Sequence, residues 1–196
     1  MESKRSSTLY ASFDIESDGS IPCKNSMLSF GMVLFNAAGE EIRRYQRNII
    51  PLPGHKQEQR CMDEFWSKHP DVCKFVNSDT VDASTFVREL EVILHEYKDY
   101  RINWIANPAA FDWQWLKNYY DQFRSSDKAP DIGFSAKCIS TLFWAYCASN
   151  GIEGARKQAL SKELSEGCQH THNPEDDARE QGRMFFNLCK LMKIPL

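Results

Sequence analysis

Leu9-Tyr10-Ala11-Ser12-Phe13-Asp14-Ile15-Glu16 reads as a β-strand that ends on two acids. Side chains two apart on a strand share a face, so Asp14 and Glu16 project together from an otherwise apolar segment. Like charges held close are costly unless a cation sits between them. A strand that has simply reached solvent at its end would carry the same pair. The two acids alone therefore leave metal binding and plain exposure equally open.

Working outward, residues 27–35 (MLSFGMVLF) form a second apolar strand, residues 36–39 (NAAG) a turn, and residues 40–50 a third, alternating strand. The short turn makes the second and third strands an antiparallel hairpin. Residues 51–54 (PLPG) open a loop, and a short helix is expected over 62–68, stopped by Pro70. Phe86, Leu90, Ile93 or Leu94, and Tyr97 recur at helical spacing over 84–98. Residues 101–106 make a fourth strand ending at Asn107-Pro108, and residues 111–123 a helix striped by Leu116, Tyr119 and Phe123. Segment 124–137 is loop-like with room for a short strand, 138–148 is an apolar helix, and 151–167 is polar with room for a short helix. The last helix starts sharply, with Asn173 as N-cap and Pro174 at the first helical position, and runs to about Lys193. Three antiparallel strands followed by alternating helices and strands predict an α/β protein, a mixed sheet flanked by helices. Residues 1–196 are expected to form a single domain, with neither repeats nor a linker.

Composition sets outer limits. Hydrophobic residues make up 42% and charged residues 26% of the 196 residues, ordinary for a globular protein with a proper core. No apolar run approaches membrane-spanning length, and the N-terminal stretch MESKRSSTLY lacks a signal-peptide core, so no membrane partner and a cytoplasmic location are expected. Seven cysteines without a C-x-x-C pair fit reduced thiols in such a compartment. A net charge of −3 excludes a global positive field for nucleic acid. It weighs little against a protein that meets phosphate through bound divalent cations, which supply the positive charge. Arg43, Arg44 and Arg47 read as the solvated face of a strand.

Two more fragments carry chemistry. Asp112 opens a helix and continues the Leu116–Tyr119–Phe123 stripe, so it should face the sheet. A helix-start acid favoured by the macrodipole is the plainer account of Asp112 taken alone. In His172-Asn-Pro-Glu-Asp-Asp177 the histidine lies in the loop before the N-cap, while Asp177 sits on the first turns beside core-facing Ala178. Asp176 competes for the same role but points about 100° away around the helix. An acidic helix start with a surface histidine would also produce this fragment.

Asp-x-Glu in the first strand, Phe111-Asp112 at a central helix and His-x-x-x-x-Asp at the last helix together resemble the DEDDh exonucleases of the DnaQ-like, ribonuclease T-like group. The resemblance covers roughly residues 9–190, and MLSFGMVLF and HNPEDDAREQG resemble the family's second strand and third motif. It implies a ribonuclease H-like fold, with a five-stranded mixed sheet, and removal of nucleoside 5′-monophosphates from 3′ ends. It assigns Asp14, Glu16, Asp112 and Asp177 as ligands to two Mg²⁺ or Mn²⁺ ions, and His172 as general base. Two departures stand out. Pro108 occupies a place where many members have Asn, with Asn107 one step earlier, and Ser17-Asp18-Gly19 replaces the usual Thr-Gly or Thr-Thr-Gly. Both bear on substrate preference more than on catalysis.

The partner implied is the 3′ end of a single-stranded nucleic acid. Phe65, Trp66 and Trp113 are candidate stacking platforms, Met27 and Leu28 candidate wedges beside the terminal base, and Ser17 and Asn107 candidate polar contacts, although most of these residue types serve equally well as core. Many family members pair to complete a binding surface, which leaves a homodimer open, yet nothing in this sequence marks such an interface. A catalytically silent nucleic-acid-binding module on the same fold is the alternative from another functional class. It has no need to bear four clustered acids. Cys168-x-His170-x-His172 also has the look of a three-ligand zinc motif, but no fourth ligand stands at a recognisable spacing.

Overall fold

The computed structural model describes residues 8–168 and 170–196. Its centre is a twisted mixed sheet. β1 (Thr8–Ser17), β2 (Met27–Asn36) and β3 (Glu41–Ile49) form an antiparallel meander, and β5 (Arg101–Ala106) runs parallel to β1 on its other side. Two-residue strands close each edge, β4 (Thr80–Val81) beside β3 and β6 (Lys137–Cys138) beside β5, giving the order β4-β3-β2-β1-β5-β6. Among the described residues the sheet thus has six strands rather than the five expected. The additional strand is β4, whose two residues are too few to leave any periodicity in the sequence.

Helices cover both faces. α3 (Ala83–Glu96) and α4 (Ala109–Phe123) bury Phe86, Leu90, Leu116 and Tyr119 against Ala11, Phe13 and Ile15 on one face of β1. Asp82 caps α3 by accepting the Thr85 N–H. On the other face, α5 (Ile139–Ser149), α6 (Gly154–Leu164) and α7 (Pro174–Leu191) enclose Tyr10, Val33 and Phe35. Asn173 caps α7 through the Glu175 N–H, and Pro174 sits at its first position. The short helices α1 (Gln59–Glu64) and α2 (Pro70–Val76), joined by a 3-10 turn at Trp66–Lys68, lie over the end of β1. Pro70 therefore begins a helix instead of merely ending one, which suits a residue without an N–H at a first-turn position.

Two glycines let α7 lie unusually close to the sheet. A Cβ on Gly31 of β2 would stand 2.1 Å from the Pro174 carbonyl carbon and 2.2 Å from the Glu175 nitrogen, both backbone atoms. A Cβ on Gly182 would stand 2.3 Å from the Phe35 ring. Gly31 is the cross-strand neighbour of Asp14, so the start of α7 is held directly over the acids of β1. Among the described residues no helix is long and apolar enough to cross a membrane.

Candidate metal centre

β1 runs through the middle of the sheet and delivers Asp14 and Glu16 on the α7 face at its C-terminal end. A register shift between Glu16 and Ser17 terminates regular pairing there. α7 brings in Asp177 from above, on its first turns and 1% exposed. One carboxylate oxygen from each of Asp14, Glu16 and Asp177 lies within 4.8 Å of the other two. Asp112 arrives from the opposite side of β1, at the start of α4, and is 3% exposed. Backbone N–H groups of Asp112, Asn107 and Ile15 face its carboxyl, while its Oδ2 is buried without a partner.

The electrostatics are those of a site made for positive charge. Burial, then the charges of Asp112, Glu16 and Asp177, push Asp14 well above the usual carboxylate range. Glu16 rises to about 8 through burial and the charges of Asp177 and Asp112. Asp112 rises to about 7, chiefly through burial. Gln181, one turn beyond Asp177, donates from Nε2 to Asp14 Oδ1 at 2.6 Å and opposes the rise, while its own Oε1 is buried and unpaired. Three buried carboxyls beside the half-buried Asp14, and two orphaned oxygens, are costly for a folded chain to retain. Bound divalent cations relieve that cost, so the donor set fits hard, oxygen-seeking ions.

Asp177 also organises the loop before α7. Its Oδ1 accepts the Thr171 N–H at 2.9 Å and its Oδ2 the His172 N–H at 3.0 Å. His172 occupies the left-handed region, φ 58°, which costs a residue with a Cβ about 1–2 kcal/mol. The two hydrogen bonds hold it there. Its Nδ1 stands 3.9 Å from Glu16 Oε1, and its ring contacts Phe65, His69 and His170 at centroid distances of 5.0, 4.5 and 4.6 Å. Burial, then His170 and His69, lower its pKa below the ordinary 6.5. Asp176 is exposed and bonded to the Thr171 hydroxyl, away from the cluster.

The remaining sequence candidates separate into two groups. Met27, Leu28 and Trp66 are buried at 0, 4 and 3% exposure. Their roles are internal: the Met27 N–H donates to Tyr119 Oη at 2.8 Å, and Trp66 Nε1 donates to the Ser17 carbonyl at 3.1 Å, fixing the end of β1. The Ser17 hydroxyl is likewise spent on the Gly19 carbonyl. Trp113 packs on Phe13 and Trp104 and donates from Nε1 to the Phe134 carbonyl, and Asn107 precedes the cis peptide to Pro108. Phe65, half-buried, does border open space. With Glu16, Ser17, Arg60 and Phe111 it lines a cavity of about 450 Å³ beside the acids, within the usual size range of small-ligand sites. Arg60, Gln181 and His69 escape sequence reasoning. Gln181 alone left a trace, by lying one turn after Asp177 on the same face.

No protein-family model and no curated protein matches this chain, whereas solved structures do. A zinc-bound E. coli exonuclease I in complex with single-stranded DNA superposes with a TM-score of 0.71, covering 96% of this chain and 42% of that one at 12% identity. A full-length 3′-exonuclease gives 0.64 over 97% and 84% at 12% identity. S. pombe Pop2p with Mg²⁺ and Mn²⁺ bound gives 0.59 over 92% and 82% at 14% identity. The chain spans less than half the length of exonuclease I and more than four-fifths of the other two. At these identities the likeness is one of fold, and that fold is the ribonuclease H-like one.

Proposed function

We propose that this chain is a divalent-metal-dependent 3′-to-5′ exonuclease acting on single-stranded nucleic acid. One observation carries the proposal: Asp14, Glu16 and Asp177 converge within 4.8 Å, with Asp112 electrostatically tied to them, on a fold whose solved examples include exonucleases. The Mg²⁺ and Mn²⁺ of Pop2p and the single-stranded DNA of exonuclease I support the choice of metal and substrate.

Two such ions, when bound, would supply Lewis-acid stabilisation of the charge that develops in an in-line phosphodiester displacement. Asp14, Glu16 and Asp177 would hold one of them, and Asp14 with Asp112 the other. Gln181 holds one Asp14 oxygen and so fixes the direction in which the carboxylate is presented. His172 accepts the proton of the attacking water. The lowering of its pKa keeps the imidazole neutral, and so able to accept, at neutral pH. Phe65 and Phe111 flank the adjoining cavity as stacking surfaces for the terminal base, and Arg60 offers a cation to the phosphate. The product would be a nucleoside 5′-monophosphate.

A 5′-labelled oligonucleotide incubated with Mg²⁺ or Mn²⁺ tests the proposal. The expected result is a 3′-to-5′ ladder that Asp14→Ala abolishes and His172→Ala greatly reduces at neutral pH. Binding without cleavage in either metal would replace it with the silent binding module.

A further inference from the structure

The Cys-x-His-x-His motif of the last loop contributes only its histidines to the neighbourhood of Asp177. Cys168 lies among Arg179, Arg183, Glu180 and Glu41, whose charges act on its thiol. His170 Nδ1, by contrast, stands 3.3 Å from Asp177 Oδ2 and 3.3 Å from Glu180 Oε2. The His172 ring packs at 4.6 Å from that of His170. One ligand atom each from His170, His172 and Asp177 lies within 4.8 Å of the others, a grouping separate from the Asp14–Glu16–Asp177 cluster although it shares Asp177.

We propose that His170, His172, Asp177 and Glu180 form a second cation site, suited to Zn²⁺, whose filling withdraws His172 from catalysis. Two imidazoles and two carboxylates are a zinc-type donor set, while Mg²⁺ prefers an all-oxygen octahedron. With zinc–ligand bonds of about 2.0–2.1 Å, neighbouring ligands of a tetrahedral ion stand roughly 3.3 Å apart. The His170–Asp177 and His170–Glu180 distances already meet that spacing. His172 must swing inward, and Glu180 must close on the group, since the 4.8 Å cluster holds only His170, His172 and Asp177. The His170 side chain is 57% exposed, so an ion reaches the group from solvent. A ring nitrogen of His172 bound to zinc has no lone pair left for a proton. The site would therefore silence hydrolysis by taking up His172 and drawing on Asp177, while Asp14, Glu16 and Asp112 remain to hold Mg²⁺. Silencing rests on the exonuclease reading; binding of the ion does not.

Co²⁺ serves as the spectroscopic probe, titrated into the metal-stripped whole chain in excess Mg²⁺. One equivalent should produce the intense visible absorption of four-coordinate cobalt, and Zn²⁺ should abolish it. His170→Ala and His170→Gln should weaken binding at least tenfold, Glu180→Gln less, and Asp14→Asn should retain the band. Absence of the band, its persistence in both His170 variants, or its loss in Asp14→Asn would overturn the site. For silencing, the ratio of cleavage rates with and without Zn²⁺ is compared at saturating Mg²⁺. His170→Ala should need at least tenfold more Zn²⁺ for the same fractional loss, and equal sensitivity would refute the withdrawal of His172. If the unmodified chain cleaves nothing in either Mg²⁺ or Mn²⁺, the exonuclease reading falls and silencing with it, while the cobalt band still decides the site.

Discussion

Replacing Glu16 by Gln should make the metal-free protein more stable, by an amount set by pH. The Glu16 carboxyl is 8% exposed and titrates at about 8, against an ordinary value of 4.5. Because the folded value is the higher one, folding favours the protonated form. The associated stability is fully present below pH 4.5 and is lost as pH rises through 8. At about 1.4 kcal/mol per pH unit, the interval between 4.5 and about 8 amounts to roughly 5 kcal/mol as an upper bound. Relaxation among the neighbouring acids reduces this to a few kcal/mol. Glutamine is close to an isostere of the neutral acid. Unmodified protein and E16Q should therefore unfold at similar denaturant concentrations near pH 5, with E16Q ahead by about 2–4 kcal/mol near pH 9. The assay is guanidinium unfolding in EDTA at both pH values. Added Mn²⁺ should reverse the order at pH 9, since the unmodified site gains the ion and E16Q loses a ligand. A stability difference that is the same at pH 5 and pH 9 would refute the reasoning, because it would mean that Glu16 is not held against its charge.

Other substitutions probe the supports of the site. Gly31→Ala would drive a methyl into the Pro174–Glu175 backbone; a loss of about 1–3 kcal/mol in urea unfolding is expected, together with weaker Mn²⁺ binding as Asp177 is displaced. Gln181→Leu removes the amide that holds Asp14 Oδ1 and should raise the Mg²⁺ concentration for half-maximal cleavage about 10- to 100-fold, read from rate against metal concentration. Trp66→Phe removes the indole donor from the Ser17 carbonyl; about 1–3 kcal/mol is at stake, visible as a fall in melting temperature of several degrees. The acid limb of the cleavage rate against pH should lie below 6.5, because burial and the neighbouring histidines lower the His172 pKa.

The long elements were legible because each buries a regular stripe: alternation marked β1 and β3, and the spacing of Phe86, Leu90 and Leu94 marked α3. β4, with two residues, buries too little to leave such a stripe. Asp14 and Glu16 were readable as a pair because a strand enforces their common direction. Gln181 lies one turn after Asp177, a trace that places it near the acids but does not announce it as the partner of Asp14, 167 positions away in sequence. The aromatic side chains show the limit most clearly. A tryptophan has the same composition signal whether it stacks on a base or, like Trp66, spends its N–H on a buried carbonyl. Only the packing of α1 and the 3-10 turn over the end of β1 decides that Phe65 borders the cavity while Trp66 does not.

Asp177 holds the backbone of Thr171 and His172 with the same carboxylate that faces Asp14 and Glu16. If Asp177 holds an ion as proposed, ligand and latch are one group. On the proposed reading, an ion arriving at that carboxylate draws electron density from the bonds that keep His172 in its left-handed posture, and protonation of the carboxylate weakens them. Loop and ion are therefore read as a single occupancy, and the affinity of each depends on the other. A proline at position 171, which leaves every acid and the histidine in place, would cut the tether by removing one N–H. It would show as a change in cation affinity before any change in chemistry.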